Sequence, residues 1–275
     1  MNNRLEEIEI RAGNACALIL FFSVSDNPSW IKKEIIALIN GRAGRKIKSS
    51  RFTTVRRIEN PLTGEGFYYK EFHSRGLKDV LKSFLGLTRS RRAFMAGHLL
   101  SHAGFSTPEP VLYGILKRFF FIRKNFLITK AVSGHITYEY FKHFYPLPIS
   151  PELLDEKREL MYSAGHEVGR LHRAGFIHGD LRVGNLIIDG RGRSAQFYFI
   201  DNERTKSCKE LTERERLRNL VQLNMVGLPH ITRTDRLRFM NAYLQENPEL
   251  LPDKKNLIRN IVLRTKKRRR QAASA

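Results

Sequence analysis

The second half of the chain contains two aspartates and an asparagine whose spacing could support catalysis. Asp180 and Asn185 lie in the segment His178-Gly179-Asp180-Leu181-Arg182-Val183-Gly184-Asn185, and Asp201 follows the apolar run Phe197 to Ile200. Phosphoryl transfer requires a carboxylate that orients or deprotonates the attacking hydroxyl, together with oxygen ligands for magnesium. The spacing therefore predicts a phosphotransferase in which Asp180 is the base and Asn185 and Asp201 hold Mg²⁺.

Two neighbours of Asp180 complete the candidate catalytic set. Arg182 lies two residues after it and offers a cation that could face a phosphate, whereas His178 is expected to order the loop rather than to exchange a proton. An isolated His-x-Asp is weak evidence, because Asp and Asn are common wherever strands turn. The offset to Asn185, the helical pattern before the loop and the apolar run after it agree with one another, and this favours the catalytic interpretation.

A nucleotide donor needs contacts to its phosphates, and the first half of the chain offers candidates. Lys70 lies on the second strand of a predicted hairpin, where kinases place the lysine that holds the phosphates. Gly41 and Gly44 precede the first strand of that hairpin and could cover phosphates with backbone N–H groups, although their spacing does not match G-x-G-x-x-G. The expected cofactors are ATP and Mg²⁺.

The usual partner of such a lysine is missing from the sequence. Kinases place a glutamate on the next helix, but no Glu occurs between Glu71 and Glu109. Glu71 cannot easily replace it, since adjacent strand residues point to opposite faces of a sheet. Either Asp79, the only acid in the interval, takes this role, or Lys70 is held differently.

Strands are predicted early in the chain and helices late. A hairpin (51–58 and 67–72), a helix (90–103, ended by Gly104) and a strand (125–129) come first, and a helix from about 155 to Gly175 and further helices after about 211 follow. This order indicates an α+β, protein-kinase-like fold with two lobes. We expect residues 1–130 to form an N-lobe of antiparallel sheet plus helix and residues 131–275 to form a mainly helical C-lobe.

Composition favours an anionic partner. The chain has 49 Lys and Arg against 27 Asp and Glu, a formal charge of +22, and nucleotide, acidic lipid and nucleic acid would all suit it. The two cysteines, Cys16 and Cys208, have no spacing typical of a disulfide or zinc site, which fits a reducing cytoplasm. The apolar stretch 15–24 is too short to span a bilayer and is expected to be a buried strand or short helix. The basic run 266–270 is expected to be a solvated tail with a frayed end, or an electrostatic attachment to anionic lipid.

Several segments resemble the bacterial lipopolysaccharide core kinases of the Kdo/WaaP type. They are Ile200-Asp201-Asn202-Glu203-Arg204, which stands where protein kinases have Asp-Phe-Gly, then Ser90 to Phe94 with Gly104 to Pro110, and Arg236 to Leu244. The resemblance covers roughly residues 51–244. It implies ATP-dependent phosphorylation of a sugar hydroxyl of the lipopolysaccharide inner core or a related glycolipid. It also implies a cytoplasmic protein, peripheral on the cytoplasmic face of the inner membrane, with an anionic membrane surface as partner.

Two other functions stay open at this point. One is an atypical serine/threonine protein kinase of the RIO-like or tRNA-modification-associated kind, whose catalytic loops also begin with His-x-Asp. The other is a catalytically weak pseudokinase that binds anionic partners, with nucleic acid possible but not favoured. Aminoglycoside-type phosphotransferases share the motif but are usually acidic, which counts against them.

Overall fold

The computed structural model describes residues 5–11, 16–23, 29–74, 76, 79, 86–119 and 121–274. The chain forms two compact units. The first unit comprises Met1–Ser101 and Pro108–Val132, and the second comprises His102–Thr107 and Ser133–Ala275.

The first unit is built on a seven-stranded sheet, whose described strands all pair antiparallel in the order β1-β2-β6-β7-β5-β4-β3. The strands are β1 (Leu5–Arg11), β2 (Cys16–Ser23), β3 (Arg45–Ser49), β4 (Thr53–Glu59), β5 (Gly66–Phe72), β6 (Pro110–Arg118) and β7 (Phe121–Lys130). The predicted hairpin is β4–β5, the predicted strand 125–129 lies within β7, and β2 lies within the apolar stretch 15–24. These three predictions are confirmed.

Two helices cover opposite faces of this sheet. Helix α1 (Ser29–Ile39) packs Ile31, Ile35 and Leu38 into a core with Leu18, Tyr69 and their neighbours. Helix α2 (Arg89–His102) packs Phe94 against a second cluster that contains Phe72. Alternation along β5 therefore puts Lys70 on the α2 face, and its ammonium lies 5.2 Å from the centre of the Phe72 ring. The predicted helix 90–103 is confirmed as α2.

The second unit is mainly helical. Its helices are α3 (Thr137–Phe144), α4 (Pro151–Arg173), α5 (Glu213–Asn224), α6 (Arg233–Glu246) and α7 (Lys254–Ala273), and its strands are β8 (His135–Ile136), β9 (Phe176–Ile177), β10 (Leu186–Asp189), β11 (Gln196–Phe199) and β12 (Lys206–Ser207). Strands β10 and β11 pair antiparallel with each other, and β9 pairs with β12. The predicted helix closed by Gly175 is α4, which begins at Pro151 rather than near 155.

Close packing of α4 against α6 depends on glycine. A Cβ at Gly165 would meet the Phe239 backbone, and one at Gly169 would lie 2.7 Å from the Glu246 Cβ. Small residues thus let the two helices approach, and α4 in turn supports the loop that follows it.

The prediction of a frayed end after the basic run is wrong, whereas the run itself is mostly exposed to solvent, as predicted. Residues 266–270 belong to α7, which continues to Ala273. The helix persists because Leu257, Ile261 and Thr265 recur at every fourth position and are buried, and Arg269 donates to the Val226 carbonyl at 3.1 Å. Within the described residues, no helix has the length and apolar character needed to cross a membrane.

Candidate active site

The loop between β9 and β10 holds Asp180 and Asn185 in one hydrogen-bonded turn. The Asn185 Nδ2 donates to the backbone carbonyl of Asp180 at 2.8 Å, and the Arg182 N–H donates to the same oxygen at 2.9 Å. Because its amide nitrogen is engaged, Asn185 keeps its Oδ1 as the atom able to ligate a cation. The Arg182 Nε lies 2.9 Å from an Asp180 carboxylate oxygen, and both side chains reach solvent. The structure therefore brings these three predicted residues together.

Two buried side-chain amides of helix α5 hydrogen-bond to this loop. The Asn219 Oδ1 accepts from the His178 N–H at 3.2 Å, and the Gln222 Oε1 accepts from the Leu181 N–H at 3.0 Å. The Gln222 Nε2 lies 3.4 Å from an Asp180 carboxylate oxygen, and Asn219 donates to Gln222 at 3.1 Å. Sequence reasoning missed this pair. The available signal was two amides three residues apart on a helix that also carries Leu217, Leu220 and Val221.

The amide pair continues into a buried histidine. The His172 Nε2 donates to the Asn219 Oδ1 at 3.2 Å, and the Tyr243 hydroxyl donates to the His172 Nδ1 at 2.9 Å. Burial disfavours the imidazolium and lowers the pKa of His172 to about 4. His172 is therefore neutral at physiological pH, so its Nδ1 can accept from Tyr243 while the Asn219 Oδ1 keeps the proton on Nε2.

His178 begins the loop that carries Asp180 and Asn185. Its side chain is buried, and its Nε2 donates to the Ile200 carbonyl at 3.0 Å. Burial lowers the pKa of His178, although the nearby Asp201 and Asp180 oppose that shift. A buried imidazole engaged with a backbone carbonyl suits the expectation that His178 orders the loop rather than exchanging a proton, and this role stays a prediction.

Asp201 has a left-handed backbone conformation. Its φ and ψ of 66° and 44° lie in a region that few non-glycine residues adopt, although Asp is among those that tolerate it. The Ile200 N–H donates to the Asn185 carbonyl at 3.0 Å, so the two predicted metal ligands come from adjoining segments. Asn202 holds the next turn, because its Nδ2 donates to the Thr107 hydroxyl at 2.8 Å and to the Phe199 carbonyl at 3.1 Å.

Gly179 is required by a close backbone approach. Its φ is +75°, and a Cβ there would lie 2.5 Å from the carbonyl oxygen of Arg204. The Thr205 hydroxyl also donates to the His178 carbonyl at 3.3 Å, and Lys206 pairs with Ile177 across β12 and β9. The segment after Asp201 is therefore attached to the catalytic loop through main-chain atoms.

The donor set fits a hard divalent cation. Among the described residues no cluster of three His, Cys, Asp or Glu side chains could hold a metal by itself. One amide oxygen from Asn185 and the carboxylate of Asp201 would leave the remaining positions to phosphate oxygens and water, as Mg²⁺ prefers in phosphotransferases. The residues present thus fit a metal that is shared with a nucleotide.

The predicted nucleotide contacts lie in the first unit. Gly41 ends α1, since its N–H donates to Leu38 O at 2.9 Å and the Arg42 N–H donates to Ala37 O at 2.8 Å, the two bonds of a Schellman cap. Gly44 also has a positive φ, of +74°, and packs beside Ile58. Both glycines therefore have a backbone reason to be there, and their contact with phosphates stays a prediction.

The turn between β3 and β4 is attached to the start of α2, a contact that sequence reasoning did not single out. Arg89, which is buried at the start of α2, donates to the carbonyls of Phe52 in this turn and of His73 after β5, each at 3.1 Å.

Glu71 is occupied elsewhere, because it accepts from the Tyr69 hydroxyl at 3.2 Å and lies 3.4 Å from the Lys124 ammonium. The partner of Lys70 stays open.

The sequence of the chain is similar to those of known kinases and of one related protein family. The sequence profile of the lipopolysaccharide kinase (Kdo/WaaP) family matches residues 38–243. The lipopolysaccharide core heptose(I) kinase WaaP of Pseudomonas aeruginosa is 25% identical over 236 residues, which are 82% of this chain and 85% of that protein. The KEOPS complex subunit Bud32 of Pyrococcus abyssi is 38% identical, but over 48 residues only, 18% of this chain and 20% of that protein.

A solved structure agrees at the level of the fold. WaaP in complex with acyl carrier protein superposes with a TM-score of 0.64 at 21% identity, and the match covers 90% of this chain and 98% of that one. The protein-kinase-like α+β fold is thereby confirmed. The profile match shows that the chain belongs to the lipopolysaccharide kinase (Kdo/WaaP) family and is a kinase that phosphorylates a sugar hydroxyl.

Proposed function

We propose that the protein transfers the γ-phosphoryl group of ATP to a sugar hydroxyl of the lipopolysaccharide inner core, or of a related glycolipid, with Asp180 as the base. The observation that carries this is the arrangement of Asp180. Its main chain is fixed by Asn185 and Arg182, and its carboxylate lies at a partly solvent-exposed position beside Gln222. A carboxylate held in this way can accept a proton from a hydroxyl that approaches from solvent.

The other residues take supporting roles. Asn185 Oδ1 and Asp201 would hold Mg²⁺, which would neutralise charge on the phosphates, and Lys70 with the Gly41 and Gly44 segment would contact the nucleotide. Arg182, whose Nε lies 2.9 Å from an Asp180 carboxylate oxygen and whose side chain is largely exposed, would contact a phosphate beside Asp180. Water exclusion and substrate orientation then supply most of the rate, since little covalent chemistry falls to the protein.

We also place the protein on the cytoplasmic face of the inner membrane as a peripheral protein. The support is helix α7, which carries nine Lys and Arg and no Asp or Glu. Like charges one turn apart destabilise a helix, so such a sequence favours an anionic surface that offsets the repulsion. WaaP forms a complex with acyl carrier protein, and an acyl carrier protein is therefore a second candidate partner for this chain.

The test compares Asp180→Asn with the wild type on purified core acceptor. With ATP and Mg²⁺, we expect labelled phosphate on the glycolipid from the wild type and a loss of at least about a hundredfold from Asp180→Asn. Asp155→Asn is the matched control, since that carboxylate is 80% exposed on α4, and it should retain full activity.

Three outcomes would contradict the proposal in different ways. Phosphate on protein instead of glycolipid would favour an atypical protein kinase of the RIO-like kind. No transfer to any acceptor, with an unchanged cellular phenotype for Asp180→Asn, would favour a pseudokinase. Equal transfer by Asp180→Asn and wild type would remove Asp180 from the role of base.

A further inference from the structure

The hairpin turn between β6 and β7 exposes aromatic side chains. Arg118 and Phe121 pair across the hairpin, so the connection is the two residues Phe119 and Phe120. Phe119 is 71% exposed and Phe121 is 57% exposed, while Phe120 falls outside the described residues. Apolar side chains of this size normally contribute to a core, and here they are presented at the end of a projecting turn.

The backbone at this turn is unfavourable for the residue it carries. Phe119 has a φ of +52°. Two-residue hairpin loops favour Asn or Gly because these residues tolerate positive φ, whereas a bulky side chain there is an outlier. The chain therefore accepts both strain and apolar exposure at one position, a combination that isolated folding stability does not explain.

Basic residues flank the exposed rings. Within residues 117–124 the charged side chains are Lys117, Arg118, Arg123 and Lys124, with no acid among them. Lys124 is used within the first unit, since its ammonium donates to the Ile39 carbonyl at 2.6 Å and lies 3.4 Å from Glu71. Arg118 and Arg123 are exposed on either side of the turn. The hairpin thus has apolar side chains at its turn and basic side chains on the strand ends beside the turn.

We propose that this hairpin tip inserts Phe119 and Phe121 into the interface of a bilayer that contains anionic lipid, with Arg118 and Arg123 at the headgroups. Aromatic and basic residues together are the composition of segments that lie at a membrane surface. A protein partner fits less well. Two rings offer about 400 Å² of contact, roughly half of what each side of a standard interface buries.

This inference deepens the proposed function, which supplies the membrane-held acceptor, but the observations behind it come from the first unit alone. It adds an apolar contribution to binding that charge alone does not give. Electrostatic attraction to lipid weakens as salt rises, whereas ring insertion persists. Salt therefore separates the two contributions.

The first experiment measures co-sedimentation of the full chain with vesicles of phosphatidylcholine, with or without phosphatidylglycerol. The double variant Phe119→Asn/Phe121→Ser should fold, because Asn tolerates positive φ. We expect it to bind phosphatidylglycerol vesicles at least about tenfold more weakly than the wild type, and the difference should remain at high salt. Wild-type binding by the double variant would overturn the proposal.

A matched control is available in the same unit. Leu62 is 86% exposed in the turn between β4 and β5, and it lies between Glu59 and Glu65. Leu62→Ser removes a comparable exposed apolar group from an acidic setting, so it should leave vesicle binding unchanged. An equal loss for Leu62→Ser would show that general surface hydrophobicity, rather than this tip, drives binding.

A second experiment reports insertion directly. The native Trp30 is partly buried and packs on Phe67 with 5.0 Å between ring centroids, so it serves as an internal reference. Phe119→Trp should gain fluorescence that brominated lipids quench, and quenching no greater than in the wild type would overturn the proposal. A change of oligomeric state in the double variant, with vesicle binding intact, would instead identify a protein contact and also overturn it.

Activity on a lipid-free core oligosaccharide separates this inference from the proposed function. The double variant should phosphorylate that soluble acceptor at the wild-type rate, because the hairpin tip contributes only to membrane binding. If neither protein phosphorylates the acceptor, the proposed function fails while the vesicle result stands on its own.

Discussion

His172 provides a quantitative test of the buried network beneath the catalytic loop. Its pKa is about 4 in the folded protein, against an ordinary value of 6.5, because burial disfavours the charged ring. The perturbation is His172→Gln, which removes the titrating group but keeps one donor and one acceptor for Asn219 and Tyr243. The predicted effect concerns the pH dependence of stability, which the substitution should flatten.

The sign follows from proton binding. Between pH 6.5 and about 4 the unfolded chain binds a proton at His172 that the folded chain does not, so the free energy of unfolding falls as the pH is lowered through this window. Above pH 6.5 the contribution is fully present. A shift of this size corresponds to about 3 kcal/mol, since each unit is worth about 1.4 kcal/mol. His178 contributes in the same direction in both proteins, and its share cancels when wild type and variant are compared.

Urea unfolding followed by circular dichroism would measure this. The wild type should lose about 3 kcal/mol more than His172→Gln between roughly pH 7 and pH 4. His143→Gln, on the exposed side of α3, is the control and should keep the wild-type slope. Identical slopes for wild type and His172→Gln would refute the reasoning, because His172 would then titrate alike in the folded and unfolded chains.

Three further outcomes follow from the site and its support. Gly179→Ala should lower the free energy of unfolding by at least about 2 kcal/mol in thermal melts, since the Arg204 carbonyl blocks the added methyl, and activity should fall with it. Lys157→Met should cost about 2–3 kcal/mol in urea titrations, because the buried Asp235 loses its 2.8 Å ion pair while it keeps Arg238 at 3.2 Å and the bonds from Thr232. Chelation of divalent cations should abolish phosphate transfer, and added Mg²⁺ should restore it; transfer that persists in chelator would contradict the assigned ligands.

The hydrogen-bonded turn that holds Asp180 and Asn185 could be predicted from sequence because its contacts are local. Asp180 and Asn185 lie five residues apart, so one turn of chain brings them together, and Asp201 follows a short strand that pairs with the strand after the loop. The hairpin and α2 were also predictable, since period-2 and period-4 patterns and a terminal glycine mark them.

The parts that escaped prediction depend on contacts between distant segments. Asn219 and Gln222 look like ordinary polar residues of a helix, and nothing nearby in the sequence shows that each accepts from a backbone N–H about 41 residues earlier. The helix cap at Gly41 was not predicted either, because it depends on bonds to the Ala37 and Leu38 carbonyls, and the predicted contact of Gly41 with phosphates stays a prediction. The basic run of α7 resembled a tail because its buried residues lie mostly before it.

The main-chain attachment of the segment after Asp201 has a consequence for control of the enzyme. Gly179 has no side chain that could bind a phosphorylated residue nearby. The space that a Cβ at this position would need is filled by the Arg204 carbonyl. With β12 paired to β9, the segment has its working arrangement as soon as the chain folds. We therefore expect phosphatase treatment to leave turnover unchanged, and a fall in turnover after that treatment would contradict this view of the segment.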